Sequence, residues 1–550
     1  MKTKCRILPL VMSLLTSLIA AQLHANPPNI LLLVAEDLSP RIGSYGDAVA
    51  HTPNLDKLAS QSTRYTQAFT TAGVCSPSRA ALITGQHQIS FAAQHMRSST
   101  GPLGEYYAQP APQVRAFPEI LRQHGYYTFT DNKLDYQFSG VRAGSGPFTI
   151  WNQDGAKDTE WRNRAPGQPF FGLINFMETH ESGVMRQSGK AHSETHLATQ
   201  KWRAPITKRI KHRTPTDEVM VPPYMPDNEK TRADIARHYD NIRIMDERVG
   251  KILAALAADG LDKNTIVVWT TDHGDGLPRS KRELFDTGIH VPLLVKDPHQ
   301  VRTRPIDDRL VSFVDLAPTI LNWAGIPAFG YHHGQPLTND VQRDYVFASR
   351  DRIDEIEDRQ RAVRDARYKF IKSWHPNVPG GHQLAYRDNI DMVRAWRKEF
   401  QDGTLTPIQA RWFQPVGRAR LFDLEEDPFE LHNLANDPAH RAILARLESA
   451  LGTFLARVGD TSVIPEKELV KHLRLDGEIP ITPAPVYEQV ASQTTISSPI
   501  QASIGYRFVG ESNWRLYTAA LDLQGRGIEA KSVRYGWKES PTVRFQKNIP

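Results

Sequence analysis

Cys75-Ser76-Pro77-Ser78-Arg79-Ala80-Ala81-Leu82-Ile83-Thr84-Gly85 reads as a turn feeding a helix, with Pro77 in the first turn and Gly85 near the C-cap. That geometry sets the Cys75 side chain at the positive end of a helix, where an anion is favoured. Arg79, four residues on, faces the same side one turn later. Outward from this stretch, three near-continuous apolar runs have the pattern of strands buried on both faces of a parallel sheet: Asn29 to Val34, Pro169 to Met177 and Thr265 to Thr270. Each delivers reactive side chains at its end: Glu36-Asp37, then Glu178-Thr179-His180-Glu181, then Asp272-His273. Open α/β sheets bind ligands beyond the carboxyl ends of their strands. These groups, far apart in sequence, are therefore expected to converge.

At 550 residues the chain is long enough for two or three domains. The 67 Lys+Arg against 61 Asp+Glu give a net charge of +6, of the right sign for a polyanionic substrate. No long basic run with interleaved aromatics suggests nucleic acid. Lys2, Lys4 and Arg6 before an apolar stretch that ends in Ala20, Ala21 and Ala25 predict a secretory signal peptide over residues 1–25, hence an exported, periplasmic or secreted protein with no stable membrane span. Its removal takes Cys5, so the mature chain keeps Cys75 alone and forms no internal disulfide.

The string Cys-x-Pro-Ser-Arg, continuing through Ile83-Thr84-Gly85, resembles the signature of the type I sulfatases of the alkaline phosphatase superfamily. The resemblance covers most of residues 28 to 460 in several ordered motifs. It implies an alkaline-phosphatase-like α/β domain over 26–335, with a large mixed, mostly parallel sheet between helices, and a smaller antiparallel subdomain over 336–478. Residues 479–550 look similar to the small β-sandwich modules appended to carbohydrate enzymes.

The same resemblance implies the chemistry. Cys75 is oxidised to formylglycine by a formylglycine-generating or anaerobic sulfatase-maturing enzyme, and its hydrate attacks sulfur. Glu36, Asp37, Asp272 and His273, together with Cys75 itself, hold Ca²⁺. Family members have Asp-Asp where this chain has Glu36-Asp37. Arg79, Lys133 and Lys281 neutralise the sulfate, Arg279 and Arg282 being alternates to Lys281, and His180 protonates the departing sugar oxygen. His95, Arg97 and Arg279 are candidates for binding substrate. Most sulfatases have Gly-Lys-x-His where this chain has Asn132-Lys133-Leu134-Asp135; Asp135 is left as a base, as a group orienting Lys133, or as a vacancy filled by another side chain.

The polar segment 182–220 has poor periodicity and reads as an insertion at the mouth of the pocket. Together with the export signal and the β-module, it favours a sulfated carbohydrate and an exo-acting enzyme nearest to the bacterial relatives of heparan N-sulfatase. The sugar and the sulfate position stay open, as does the oligomeric state. The rival functions are a phosphodiester or phosphonate hydrolase of the same superfamily and a non-catalytic polysaccharide-binding protein. Smaller elements are also legible: Thr52 as N-cap of a helix through Ala59, a long helix over Thr231–Leu256 on which Asp240 and Asp246 are solvent-facing or structural, and a helix from Val311 to Leu321.

Overall fold

The computed structural model describes residues 27–300, 304–340, 342–490 and 493–546. Its central sheet has seven strands: β1 (Asn29–Ala35), β2 (Thr63–Phe69), β3 (Tyr127–Thr130), β4 (Phe170–Phe176), β5 (Thr265–Thr271), β6 (His290–Lys296) and β7 (Ile306–Ser312). They lie in the order β3-β4-β1-β5-β6-β2-β7, and within this sheet β6 alone runs against its neighbours. The signal peptide expected at 1–25 lies outside the described residues.

β1, β4 and β5 are buried at every position, because helices cover both faces of the sheet. Leu31, Leu33 and Ala35 pack with Ile235, Ile242 and Met245 of the helix Glu229–Ala258, whereas Ile30, Leu32 and Val34 pack with Leu82 and Ile83 of the helix Cys75–Thr84. Two apolar faces give a continuous apolar run instead of an alternating one. Register does the rest: Ala35 lies opposite Phe176 on one side and Thr271 on the other. The three strands end level, so the segments that follow them leave from one edge.

Three local expectations are corrected. Thr52 makes no side-chain cap; its Oγ1 instead accepts the N–H of Gly43. The open N–H groups of that helix, at Asn54 and Leu55, are taken by the Asp246 carboxylate from the long helix, 3.2 and 2.8 Å away, an anion at a helix N-terminus. Asp246 and Asp240 are accordingly buried and structural. Segment 182–220 contains a regular helix, Glu194–Thr207, with Pro205 inside it; Ser193 caps it, and buried His196, Thr199 and Arg203 hold it where an apolar stripe is lacking. Val311 and Ser312 belong to β7, and the helix runs from Leu316 to Trp323.

Beyond the central sheet, β8 (Val346–Arg350), β9 (Gln360–Arg364), β10 (Tyr368–Ser373) and β11 (Ala419–Asp423) form an antiparallel sheet in the order β11-β10-β9-β8. The helix Arg441–Val458 packs on it through Leu447, Leu451 and Phe454. Near the C-terminus, a three-stranded and a four-stranded antiparallel sheet share a small core of Ile496, Ile504 and Ile528. A mostly parallel central sheet with separate antiparallel C-terminal sheets is the expected fold class.

Candidate active site

The helix Cys75–Thr84 begins at Cys75 itself, with Val74 extended before it, and stops at Gly85, whose φ of 67° is a left-handed conformation that glycine adopts freely. All ten of its residues are buried. It points Cys75 Sγ at the level ends of β1 and β5. Sγ lies 3.8 Å from Glu36 Oε2, 3.8 Å from Asp37 Oδ1, 3.4 Å from His273 Nε2 and 3.5 Å from Lys281 Nζ. Asp37 holds a φ of 50°, a costly backbone conformation for a non-glycine residue that recurs at functional sites.

Arg79 braces the cluster. Its Nε donates to Asp272 Oδ2 at 3.1 Å, one Nη to Asn175 Oδ1 at 2.5 Å and the other to Glu36 Oε1 at 2.5 Å. Every guanidinium nitrogen is thereby engaged with the strand ends. Burial opposes its charge, and Glu36 and Asp272 outweigh that, so it stays protonated far above any working pH. Arg79 therefore fixes the carboxylates through three of its five N–H hydrogens, and one hydrogen remains on each Nη.

Two lysines stand beside it at the cluster. Lys281 Nζ lies 2.6 Å from Asp37 Oδ2 and 3.4 Å from Glu181, and Lys133 Nζ lies 3.1 Å from Glu36 Oε2. Burial pulls both down, but Asp37 raises Lys281 and Glu36 raises Lys133, so both remain ammonium ions. Of the three neighbouring cations weighed from sequence, Lys281 reaches the cluster. Arg282 pairs with Glu181 through two bonds of 2.7 and 2.8 Å. Arg279 is not brought to the pocket: it stacks between Tyr224 and Phe285 and donates to the carbonyls of Phe429 and Glu430.

The two histidines present opposite faces. His273 donates its Nδ1 hydrogen to the Gly274 carbonyl at 2.9 Å, which leaves the Nε2 lone pair 3.0 Å from Asp37 Oδ1. A lone pair against a carboxylate needs a proton or a cation between them. Burial disfavours the proton, but Asp272 and Asp37 override it and raise His273 to about 10. His180 Nδ1 accepts from the Ser182 N–H at 3.2 Å, so its neutral form carries hydrogen on Nε2. Burial, and then Lys281, push His180 down to about 3.

Of the roles left open for Asp135, its surroundings speak against that of a base. Arg97 Nη2 binds its Oδ2 at 2.8 Å, Arg97 Nε its Oδ1 at 3.1 Å, and the Ser76 hydroxyl donates to it as well. Burial would raise its pKa, but Arg97 and Lys133 hold it well below the usual carboxylate range. A carboxylate so saturated is a poor proton acceptor; Asp135 anchors Arg97 and stands 3.8 Å from Lys133. Arg97 is partly open to solvent at this edge. His95 is buried, its Nδ1 accepting from the Arg352 N–H and its Nε2 without a hydrogen-bond partner among the described residues.

Sequence reading missed Asn175 and Ser76. Asn175 carried a signal, a lone amide near the end of an apolar strand; Ser76 carried none.

The ligand atoms of Asp37, Cys75, Asp272 and His273 lie within 4.8 Å of one another, and Glu36, Asp37, Cys75 and His180 form an overlapping group. Oxygen-rich, buried and with the His273 lone pair turned inward, this donor set fits a divalent metal ion. Three carboxylates, Glu36, Asp37 and Asp272, are matched by Arg79, Lys133 and Lys281. A divalent ion would leave the pocket two charges positive, which suits an anionic ester.

Residues 28–326 match the sulfatase family, and residues 278–378 match the C-terminal region of N-sulphoglucosamine sulphohydrolase. An ulvan-active sulfatase of Formosa agariphila is 35% identical over 549 residues, covering 94% of this chain and 91% of its own. Human N-sulphoglucosamine sulphohydrolase is 26% identical over 476 residues, covering 78% and 90%. A 2-O GAG sulfatase of known structure shares the fold with a TM-score of 0.55 at 19% identity, over 79% of this chain and 93% of that one. With its α/β half matched along its length and a relative aligned nearly end to end, the chain belongs to the sulfatase family.

Proposed function

We propose that this sulfatase is an exported enzyme that removes sulfate from an ulvan-like sulfated polysaccharide, working from chain ends, with formylglycine at position 75 and Ca²⁺ as cofactors. The observation that carries the reading is Cys75 at a buried helix N-terminus between Lys281 and the carboxylates of Glu36 and Asp37. The near end-to-end relation to an ulvan-active sulfatase supports the substrate class. Oxidised to formylglycine by a dedicated maturation enzyme, residue 75 supplies a hydrated aldehyde as nucleophile. Bound by Glu36, Asp37, Asp272 and His273, Ca²⁺ supplies charge for a sulfate oxygen.

The remaining work falls to side chains of the chain. Lys133 and Lys281 bind sulfate oxygens from two sides, a preorganised electrostatic stabilisation. Arg79 keeps Glu36, Asn175 and Asp272 in register. His180 turns its Nε2 hydrogen toward the leaving sugar oxygen, and the negative charge of a bound sulfate counteracts the lysines that lower its pKa.

The test is sulfate release from defined ulvan and heparan oligosaccharides by matured enzyme, with the mass of the Cys75 peptide read in parallel. Sulfate release with an aldehyde at position 75 and about one bound Ca²⁺ is expected. Turnover of aryl phosphodiesters in preference to any sulfate ester would favour the phosphorus-centred rival. A persistent thiol with polysaccharide binding alone would favour the binding protein.

A further inference from the structure

A second cleft lies beyond the far end of the Cys75 helix. The His333 N–H donates to the Gly85 carbonyl at 2.8 Å, where that helix stops, and the His87 N–H donates to His333 Nδ1 at 3.0 Å. Between this corner and the helix Arg441–Val458 opens a cavity of about 560 Å³. A ten-residue helix separates it from the reactive position, on the order of 15 Å along the axis.

Donors dominate its lining. Arg457 makes no hydrogen bond or ion pair among the described residues and is exposed at the rim. Arg343 spends one nitrogen on Asp315. Arg446 is held by Asp365 and Tyr345. With Nδ1 occupied as an acceptor, neutral His333 carries its hydrogen on Nε2, and His333 is kept neutral because burial, followed by Arg457, lowers it to about 4. Two carboxylates also line the cleft. Asp315 is saturated by the N–H groups of Ser312 and Gln335 as well as Arg343, and Asp344 is exposed. Free donors thus outnumber free acceptors within a space large enough for a sugar unit with its substituents.

We propose that this cleft is a second, non-catalytic binding site for a sulfate-bearing segment of the polysaccharide, gripped by Arg457, Arg343 and His333. It rests on the reading of the substrate as a sulfated polysaccharide. Its use is effective concentration: a polymer held here is presented to the active site as a tethered ligand.

The experiment uses the full, matured chain and affinity electrophoresis through gels containing dextran sulfate or unsulfated dextran. Parent enzyme is compared with an Arg457→Glu/Thr453→Glu variant, both changes being on the exposed face of the helix. A control, Lys251→Glu/Lys263→Glu, makes two exposed charge changes elsewhere. Retardation by dextran sulfate, weakened at least fivefold in the cleft variant and less than twofold in the control, is expected, with aryl sulfate turnover unchanged within twofold. Equal retardation of the two variants, or equal retardation of the parent by dextran, overturns the site. Failure of the parent to release sulfate from any glycan would strike the substrate reading, while the gel comparison still decides the cleft.

Discussion

The resemblance implied a histidine at the position of Asp135, and the surroundings of Asp135 say what it does. Two bonds from Arg97 and one from Ser76 leave it as an anchor. An Asp135→Asn variant is expected to lose about 10- to 100-fold in kcat/KM, the scale of a hydrogen bond to a charged group, with the shape of the pH–rate profile unchanged. Loss of the acidic limb of that profile would restore Asp135 as the base. His180 has a sharper test. A general acid contributes roughly 10²–10⁴-fold where the leaving group is a poor one. His180→Gln should therefore cost that much on a sugar sulfate and under about tenfold on 4-nitrophenyl sulfate, whose phenolate leaves without help. Equal losses on both substrates would remove the acid role. The side chains named from sequence are those whose chemistry is written in their type; Asn175 and Ser76 act by where their oxygens end up, which their type does not tell.

At the scale of elements, the site depends on how closely the segment after β5 lies against its neighbour. A Cβ on Gly274 would sit 2.0 Å from the Thr287 carbonyl oxygen, a backbone atom that no rotamer change can move. Gly274→Ala is expected to destabilise by about 1–3 kcal/mol, the usual cost of overpacking, and to weaken metal binding through the adjacent His273. Thermal melting with and without Ca²⁺ checks this: the variant should show a smaller Ca²⁺-induced rise in Tm than the parent. An undiminished rise would mean that this approach does not position His273. Strands β1, β4 and β5 were legible because a strand covered on both faces must be apolar throughout. The helix Glu194–Thr207 was not, because its contacts are buried polar ones that leave no apolar period.

Over the whole molecule, burial of neutral imidazoles sets the response to acid. His95, His332, His333 and His382 are each lowered to about 4, chiefly by burial. Their unfolded pKa is near 6.5, so between pH 6.5 and 4 the unfolded chain binds more protons and stability falls as pH falls. Asp131 and Asp351, raised to about 6 by burial, act in the opposite direction below pH 6 because their folded forms take up protons first. Seven imidazoles, with His87, His180 and His290 included, oppose five carboxylates, with Asp246, Asp315 and Glu430 included. Tm is expected to fall steadily from pH 7 to pH 5, and a Tm that rises over this range would show that the carboxylates prevail.

By itself the sequence determined the sheet, the strand-end acids and the residue at the head of the buried helix, since apolar runs, turn residues and reactive side chains are local properties of a chain. Only the tertiary structure decided which of Arg279, Lys281 and Arg282 meets Cys75, that Arg79 braces Glu36 and Asp272, and that Asp135 is tied to Arg97. Each of these outcomes turns on a bond of about 3 Å between segments tens to hundreds of residues apart. Such a bond is set by strand register and helix packing, which the residues on either side of it do not encode.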